Sequence, residues 1–172
     1  MNLKELIREI PDFPQPGVSF KDISTLIGNA EAFHYVIETI AEYYRASQPE
    51  VIVGIESRGY ILGAPLAYAL NAGFILVRKP GKLPAETERI DYSLEYGQNS
   101  LEIHKDAIRP GQKVLIVDDI LATGGTVSAT AELVRRLGGE ITGYAFLAEL
   151  DFLKGRAKLE EAPIISLVHY VD

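Results

Sequence analysis

The stretch that most constrains the fold is residues 114–126, which read VLIVDDILATGGT. Its first four residues are apolar, as in a strand that is buried on both faces, and the carboxylates Asp118 and Asp119 follow. Two adjacent glycines then permit a tight turn into a segment with helical periodicity. A helix that begins in this way offers unpaired N–H groups and a positive dipole end, beside the hydroxyls of Thr123 and Thr126. The segment predicts a site for a monophosphate.

The two carboxylates set this loop apart from the common nucleotide loops. It lacks the Gly-Lys-Ser/Thr of a Walker loop and the G-x-G-x-x-G of a dinucleotide fold. Asp118 and Asp119 can accept hydrogen bonds from two neighbouring ribose hydroxyls while the loop holds the 5′-phosphate. The alternative is that Asp119 only caps a turn. We favour a sugar-phosphate site, with the phosphate bound by Ala122, Thr123, Gly124, Gly125 and Thr126.

Short apolar runs alternate with helical patterns along the rest of the chain. The predicted strands are residues 51–55, 74–77, 113–117, 141–148 and 164–168, and the predicted helices are residues 59–70 and 126–137. Gly138 and Gly139 are placed to end the second helix. Strands that are apolar throughout are covered on both faces, which predicts an α/β fold with a mostly parallel central sheet. Ligands of such sheets bind at the carboxyl ends of the strands.

Residues 81–99 interrupt this alternation. They are polar and contain Pro84 and Gly97, which favours a long loop or a loose hairpin. A long connection within a compact domain is often a lid over a functional site, although a tolerated surface insertion has the same composition. Both interpretations remain open at this point.

Composition narrows the class of protein. The 172 residues suffice for one domain, which we take as residues 1–172. A net charge of −7 would repel DNA and RNA. There is no cysteine for a disulfide or a thiolate metal site, and no apolar run reaches the roughly 18 residues that span a bilayer. The first 13 residues show helical spacing but no signal-peptide core. We expect a soluble cytoplasmic protein that binds neither nucleic acid nor membrane.

VLIVDDILATGGT closely resembles the phosphoribosyl pyrophosphate signature of the type I phosphoribosyltransferases. Further stretches resemble the adenine-specific branch of that family, and the resemblance covers nearly the whole chain. They are PGVSFKDI at residues 16–23, ESRG at 56–59, RKPGKLP at 78–84, SLEYG at 93–97, KGRAKL at 154–159 and SLVHY at 166–170. The resemblance implies a sheet of about five strands flanked by helices, a small N-terminal hood at about residues 1–30, and a flexible lid at about residues 81–99.

The resemblance also assigns the pyrophosphate site. It implies a loop at the end of the first buried strand, where Arg58 presents a planar fork to phosphate oxygens. The bond between Glu56 and Ser57 is the candidate for the cis peptide that relatives often carry here. A basic cluster would neutralise the pyrophosphate, with one cation contributed by the neighbouring subunit. The implied residues are Glu56, Ser57, Arg58, Gly59, Arg78, Lys79 and Lys82.

For the base, the resemblance implies that Phe20 stacks on the purine and that Ile120 covers its opposite face. Backbone groups near Ser19 and Lys21 would select adenine, although Lys21 stands where many relatives have arginine. Phe20 as simple core packing is the alternative.

The resemblance makes Glu95 the general base that acts at purine N7, and it makes Tyr96 part of a lid that excludes water. Glu95 as an ordinary solvated acid is the alternative. Mg²⁺ is expected to be held by substrate oxygens and water, with no direct protein ligand.

The implied reaction transfers the phosphoribosyl group of phosphoribosyl pyrophosphate to N9 of adenine, giving AMP and pyrophosphate. A homodimer is implied as well. Two alternatives share the fold: an enzyme that uses hypoxanthine or guanine, and a non-enzymatic sensor of purine or phosphoribosyl pyrophosphate. The segments at residues 16–23 and 93–97 favour adenine, and the acidic charge disfavours a DNA-binding sensor.

Overall fold

The computed structural model describes residues 1–94, 97–159 and 162–172. Strands and helices alternate along most of the chain. The strands are β1 (Arg8–Ile10), β2 (Phe20–Asp22), β3 (Val51–Ile55), β4 (Gly73–Val77), β5 (Thr87–Leu94), β6 (Gly97–His104), β7 (Lys113–Leu121), β8 (Glu140–Leu150) and β9 (Ile164–Tyr170). The α-helices are α1 (Ser24–Ile27), α2 (Ala30–Tyr44), α3 (Gly59–Ala69) and α4 (Gly125–Arg136). Short 3₁₀ helices cover Leu3–Leu6, Arg45–Ser47, Asp151–Leu153 and Gly155–Lys158.

The central sheet has five strands in the order β4-β3-β7-β8-β9, and every neighbouring pair is parallel. This confirms the predicted fold class. The chain runs outward from β3 to β4, and then returns to place β7 on the other side of β3. The strand order therefore reverses between β3 and β7, which is the place where open α/β sheets bind their ligands.

Apolar residues fill both sides of this sheet, as the uninterrupted apolar strands predict. Successive side chains of a strand point to opposite faces, so each central strand contributes to two cores. Towards α2 and α3 lie Ile52, Leu115, Val117, Ala145, Leu147 and Val168. Towards α4 lie Val51, Val53, Val114, Ile116, Tyr144 and Phe146.

The helix α2 was not among the predicted elements. Asn29 caps it, since its side chain accepts a hydrogen bond of 3.1 Å from the N–H of Ala32. Its buried residues recur at helical spacing, so the signal was present in the sequence: Ala32, Val36, Ile37, Ile40, Ala41 and Tyr44. Within the described part of the chain, no helix is long and apolar enough to cross a membrane.

The structure of the amino-terminal region differs from the helix that its apolar spacing suggests. Helical geometry is limited to the 3₁₀ turn Leu3–Leu6, after which the chain enters β1 and pairs antiparallel with β2. Leu3 and Ile7 are buried in the core beside α2, so the apolar residues of this spacing pack against the sheet core without a long helix. The two-stranded hairpin of β1 and β2 carries Phe20 and Lys21, and we call it the hood hairpin.

The segment predicted as a long loop or loose hairpin is mostly a regular antiparallel hairpin. β5 and β6 pair from Thr87 with His104 to Leu94 with Gly97, so the hairpin extends beyond residue 99. Leu101 and Ile103 alternate along β6 and are buried against the α4 side of the sheet, which explains the extension. We call β5 and β6 the lid hairpin; its movement as a lid stays a prediction.

The buried hydroxyl of Tyr44 provides a test of the core. It lies 2.5 Å from the carbonyl oxygen of Tyr144, within β8, and 2.9 Å from that of Pro163, just before β9. We expect Tyr44→Phe to lower the free energy of unfolding by about 1–2 kcal/mol, because it removes this buried donor. Urea unfolding measures the change. Tyr43→Phe is the matched control, since Tyr43 is exposed, and an equal loss in both variants would contradict the assignment.

Candidate active site

The turn of residues 122–126, which we call the phosphate loop, joins β7 to α4. β7 continues to Leu121, beyond its predicted end at residue 117, so Asp118 and Asp119 lie within the strand. Gly124 precedes the helix with a φ of 84°, a conformation that favours glycine. A glycine at this position has no side chain to cap the first turn of α4. The N–H groups of that turn therefore remain available to an anion. A cavity of about 200 Å³ is lined by this loop, both aspartates and Arg58.

The two aspartates differ in their surroundings. The side chain of Asp119 is buried, and its Oδ2 lies 2.6 Å from Nε of Arg58 in an ion pair. No described residue donates a hydrogen bond of good geometry to this oxygen. Asp118 Oδ1 accepts a hydrogen bond of 2.9 Å from the N–H of Asp119. Burial and the neighbouring charge of Asp119 hold the pKa of Asp118 well above its usual range. Both acids line the cavity, Asp119 in an ion pair and Asp118 with a raised pKa.

Arg58 links these acids to the hood hairpin. Its guanidinium carbon lies 5.5 Å from the centroid of the Phe20 ring, while its Nε is paired with Asp119. Phe20 is half-buried and makes an edge contact of 5.1 Å with Phe13. The aromatic ring, the arginine, the acids and the phosphate loop thus form one row along the carboxyl ends of β3 and β7.

The loop after β3 contains the cis Glu56–Ser57 bond that the sequence analysis proposed. The side chain of Glu56 is directed to the end of β4, where it accepts a hydrogen bond of 2.9 Å from the N–H of Lys79 and pairs with Nε of Arg78 at 3.3 Å. These contacts, the Lys79 N–H first, hold the pKa of Glu56 below its usual range. An ionised carboxylate repels pyrophosphate, so only the backbone of Glu56 is suited to the predicted role.

The predicted cations separate into two groups. Arg58 and Lys79 line a second cavity of about 350 Å³, together with Ser57, both aspartates and Thr126. The side chain of Arg78 forms an ion pair with Glu56, and its backbone forms an antiparallel β-bridge with Glu102 of the lid hairpin. Neither Arg78 nor Lys82 lines this cavity. The structure therefore brings two of the four predicted cations to this cavity.

The side chain of Lys21 is nearly buried and lies inside the hood. Its Nζ donates to Glu9 Oε2 at 2.7 Å and to Ser19 Oγ at 3.1 Å, and it lies 4.2 Å from the centroid of the Tyr170 ring. These contacts join the hood hairpin to the end of β9. The side chain is thus a structural anchor, which leaves its backbone for the predicted recognition of the base.

The lid hairpin lies against the phosphate loop. The hydroxyl of Tyr92 is 3.2 Å from Oγ1 of Thr126, and Cδ2 of Leu94 would lie 3.6 Å from a Cβ built on Gly125. Glu95 and Tyr96, the predicted base and lid residue, lie outside the described residues.

Comparisons with known proteins agree with this arrangement. Residues 25–164 match the model of the phosphoribosyl transferase domain, and the chain belongs to that family. It is 58% identical to the adenine phosphoribosyltransferase of Geobacter metallireducens over 98% of each chain. Its fold is similar to the crystal structure of adenine phosphoribosyltransferase from Thermoanaerobacter pseudethanolicus, with a TM-score of 0.94, 55% identity and 98% of each chain covered. The Saccharomyces cerevisiae enzyme, complexed with adenine and an imino-altritol bisphosphate, gives a TM-score of 0.91 with 43% identity over 96% of each chain.

The raised pKa of Asp118 predicts how stability depends on pH. The folded state binds this proton more tightly than the unfolded state does, so the free energy of unfolding falls as pH rises from about 3.9 through the raised value. Asp118→Asn removes the ionisation while keeping an oxygen for the Asp119 N–H. We expect this variant to unfold at a higher temperature than the natural protein near pH 7, with the difference shrinking towards pH 4.

Thermal unfolding between about pH 4 and pH 8 measures this difference. Asp106→Asn changes the net charge equally at an exposed position and serves as the control. An Asp118→Asn variant that is less stable than the natural protein at pH 7 would contradict the direction of the shift.

Proposed function

We propose that the protein transfers the 5-phosphoribosyl group of phosphoribosyl pyrophosphate to N9 of adenine, forming AMP and pyrophosphate. The observation that carries this proposal is the row formed by Phe20, Arg58, Asp119 and the phosphate loop. The row offers, in order, an aromatic surface for a base, a cation for pyrophosphate, acids for ribose hydroxyls, and donors for a 5′-phosphate. Relatives at 55–58% identity that bear the name adenine phosphoribosyltransferase support the choice of reaction and base.

The sugar phosphate fits the cavity beside β7. The first-turn N–H groups of α4, with the hydroxyls of Thr123 and Thr126, would bind the 5′-phosphate. Asp118 and Asp119 would accept hydrogen bonds from the ribose hydroxyls. Asp119 Oδ2 is buried and lacks a hydrogen-bond donor of good geometry among the described residues. A ribose hydroxyl would supply that donor.

The pyrophosphate fits between the loop after β3 and the end of β4. Arg58 already lies at this cavity, and exchanging Asp119 for pyrophosphate oxygens would give it a bidentate partner. Lys79 would add a second cation, and the backbone N–H groups near Ser57 and Gly59 would add donors. These contacts stabilise the negative charge that develops on the leaving group.

Adenine would enter between Phe20 and Ile120. Stacking on Phe20 provides affinity, and backbone groups near Ser19 and Lys21 would provide selection. The buried Lys21 side chain supports this proposal because it holds the hood strand in place. Arg58 occupies the space beside Phe20 and would move when the base and pyrophosphate bind.

The reaction forms the bond between N9 and ribose C1 and breaks the bond between C1 and pyrophosphate. Adenine must lose a proton, and we propose that Glu95 accepts it from N7. Leu94, the preceding residue, lies beside Gly125 of the phosphate loop, and this contact supports the choice of the lid hairpin as the source of the base. Tyr96 would help to exclude water that could hydrolyse the activated sugar.

The acids of the site are suited to a Mg²⁺ ion that binds to the substrate and not directly to the protein. Asp118 and Asp119 are assigned to the ribose hydroxyls, which leaves the oxygens of the substrate as ligands for the ion. We therefore propose that Mg²⁺ is held by pyrophosphate and ribose oxygens and by water. When bound, it neutralises charge on the leaving group.

We also propose that the enzyme is a cytoplasmic homodimer. Leu76 on the edge strand β4 is an exposed apolar residue three positions before Lys79, so a partner covering it would approach the pyrophosphate site. Light scattering should then give twice the 18.9 kDa of one chain. A monomer that retains full activity would contradict this part of the proposal.

The decisive experiment measures pyrophosphate release from phosphoribosyl pyrophosphate and Mg²⁺ with adenine, hypoxanthine or guanine in turn. We expect release with adenine, and a decrease of about 10²- to 10⁴-fold in kcat for Glu95→Gln. Glu140→Gln, at an exposed position away from the site, is the matched control. Release that the Glu95 variant leaves unchanged would remove Glu95 from the mechanism.

The choice of base separates the remaining alternatives. Release with only hypoxanthine or guanine would assign the protein to another branch of the family. Binding of phosphoribosyl pyrophosphate without release for any base would favour the non-enzymatic sensor.

A further inference from the structure

The 3₁₀ helix Gly155–Lys158, which we call the backing turn, lies directly behind the phosphate loop. Gly155 is buried, and a Cβ built on it would collide with the carbonyl oxygen of Ala122. A Cβ built on Gly124 would lie 2.5 Å from the carbonyl oxygen of Gly155. The two backbones therefore approach each other more closely than any side chain would permit. Each limits where the other can lie.

An ion pair between Arg156, whose side chain is 44% exposed, and the buried Glu149 holds the backing turn to the sheet. Nε of Arg156 donates to both carboxylate oxygens of Glu149, at 2.7 and 2.9 Å, and Ser166 Oγ donates to Oε2 at 2.7 Å. Glu149 lies on β8 opposite Leu121, the last residue of β7. The pair is thus anchored at the level where β7 ends and the phosphate loop begins.

The burial of Glu149 makes its ion pair with Arg156 important for holding the backing turn. Its side chain is 4% exposed, so an ionised Glu149 depends on Arg156 and Ser166 for compensation. Glu149 holds the pKa of the Arg156 guanidinium above its ordinary value. Loss of Arg156 would leave a buried charge without its main partner, and the turn would lose its attachment to β8.

The same carboxylate lies near Asp151 and His169, which suggests a metal site at first sight. Potential ligand atoms of the three residues lie within 4.8 Å of one another. However, both oxygens of Glu149 already accept hydrogen bonds from the cation of Arg156. A metal ion would have to displace that cation, so the arrangement favours a structural ion pair.

We propose that Glu149 and Arg156 are positioning residues, which fix the backing turn and thereby the backbone of the phosphate loop. The inference rests on the proposed function, since the ligand of the loop is taken to be the 5′-phosphate of phosphoribosyl pyrophosphate. Neither side chain needs to touch the substrate. Backbone donors bind a phosphate well only when several point to it at once, so a small displacement of the loop weakens binding. The base site at the hood does not depend on this contact.

Steady-state kinetics of Arg156→Met and Glu149→Gln test this role. We expect the KM for phosphoribosyl pyrophosphate to rise about tenfold or more, and the KM for adenine to stay within about twofold. Arg156→Lys keeps a cation and should restore part of the loss. Calorimetry with ribose 5-phosphate provides a second readout that needs no catalysis, and its affinity should fall in parallel.

Tyr44→Phe is the control for lost stability, since it removes a buried hydrogen bond and leaves the hydrogen bonds between Arg156 and Glu149 in place. An equal rise of the same KM in Tyr44→Phe, or an unchanged affinity for ribose 5-phosphate in Arg156→Met and Glu149→Gln, would overturn the inference. If the natural protein binds ribose 5-phosphate but releases no pyrophosphate, only the proposed function is refuted. The affinity of the variants for ribose 5-phosphate would then still test the inference. Failure of the natural protein to bind ribose 5-phosphate would overturn both.

Discussion

The parallel pairing of β3 with β7 is the constraint on which the rest of the site depends. Gly54 lies opposite Val117, so β3 ends level with Asp118 of β7. The residues that follow, Arg58 after β3 and Asp118 within β7, are thereby brought to the same edge of the sheet. Gly59 makes the approach possible, because a Cβ there would lie 2.9 Å from the carbonyl oxygen of Val117. The reversal of strand order at this pair leaves the edge open to a ligand.

Three arginines at or beside the site are each paired with a local acid, in a protein with a net charge of −7. Arg58 is held by Asp119, Arg78 by Glu56, and Arg156 by Glu149. These pairs have different consequences. The Arg58 pair faces a cavity, where the proposed function has it exchange its carboxylate for pyrophosphate, whereas the Arg156 pair is held by the buried Glu149. The same chemistry thus supplies both a movable ligand contact and a rigid support.

The sequence predicted those features that depend on local patterns. The apolar strands have one dominant physical explanation, and the parallel sheet predicted from them is confirmed. The glycines of the phosphate loop and the acids of β7 likewise predict an anion site, which stays a prediction. The helix α2 was missed although its apolar spacing is regular, and the pairing of β6 depended on the burial of Leu101. The direction of a side chain was the hardest to predict. Glu56 turns to the N–H of Lys79 because the distant end of β4 lies beside it, a contact that no local pattern encodes.

The support behind the phosphate loop illustrates why such contacts escape a motif. The loop sequence explains why the backbone can turn, because glycine permits a φ of 84° at Gly124. It does not explain why the loop keeps one conformation, since glycine also increases backbone freedom. That restriction comes from Gly155, some thirty residues later in the chain, and from the ion pair that holds it. A loop that binds phosphate through its backbone therefore requires a rigid neighbour. A motif that covers only the loop leaves out the residues that hold it in place.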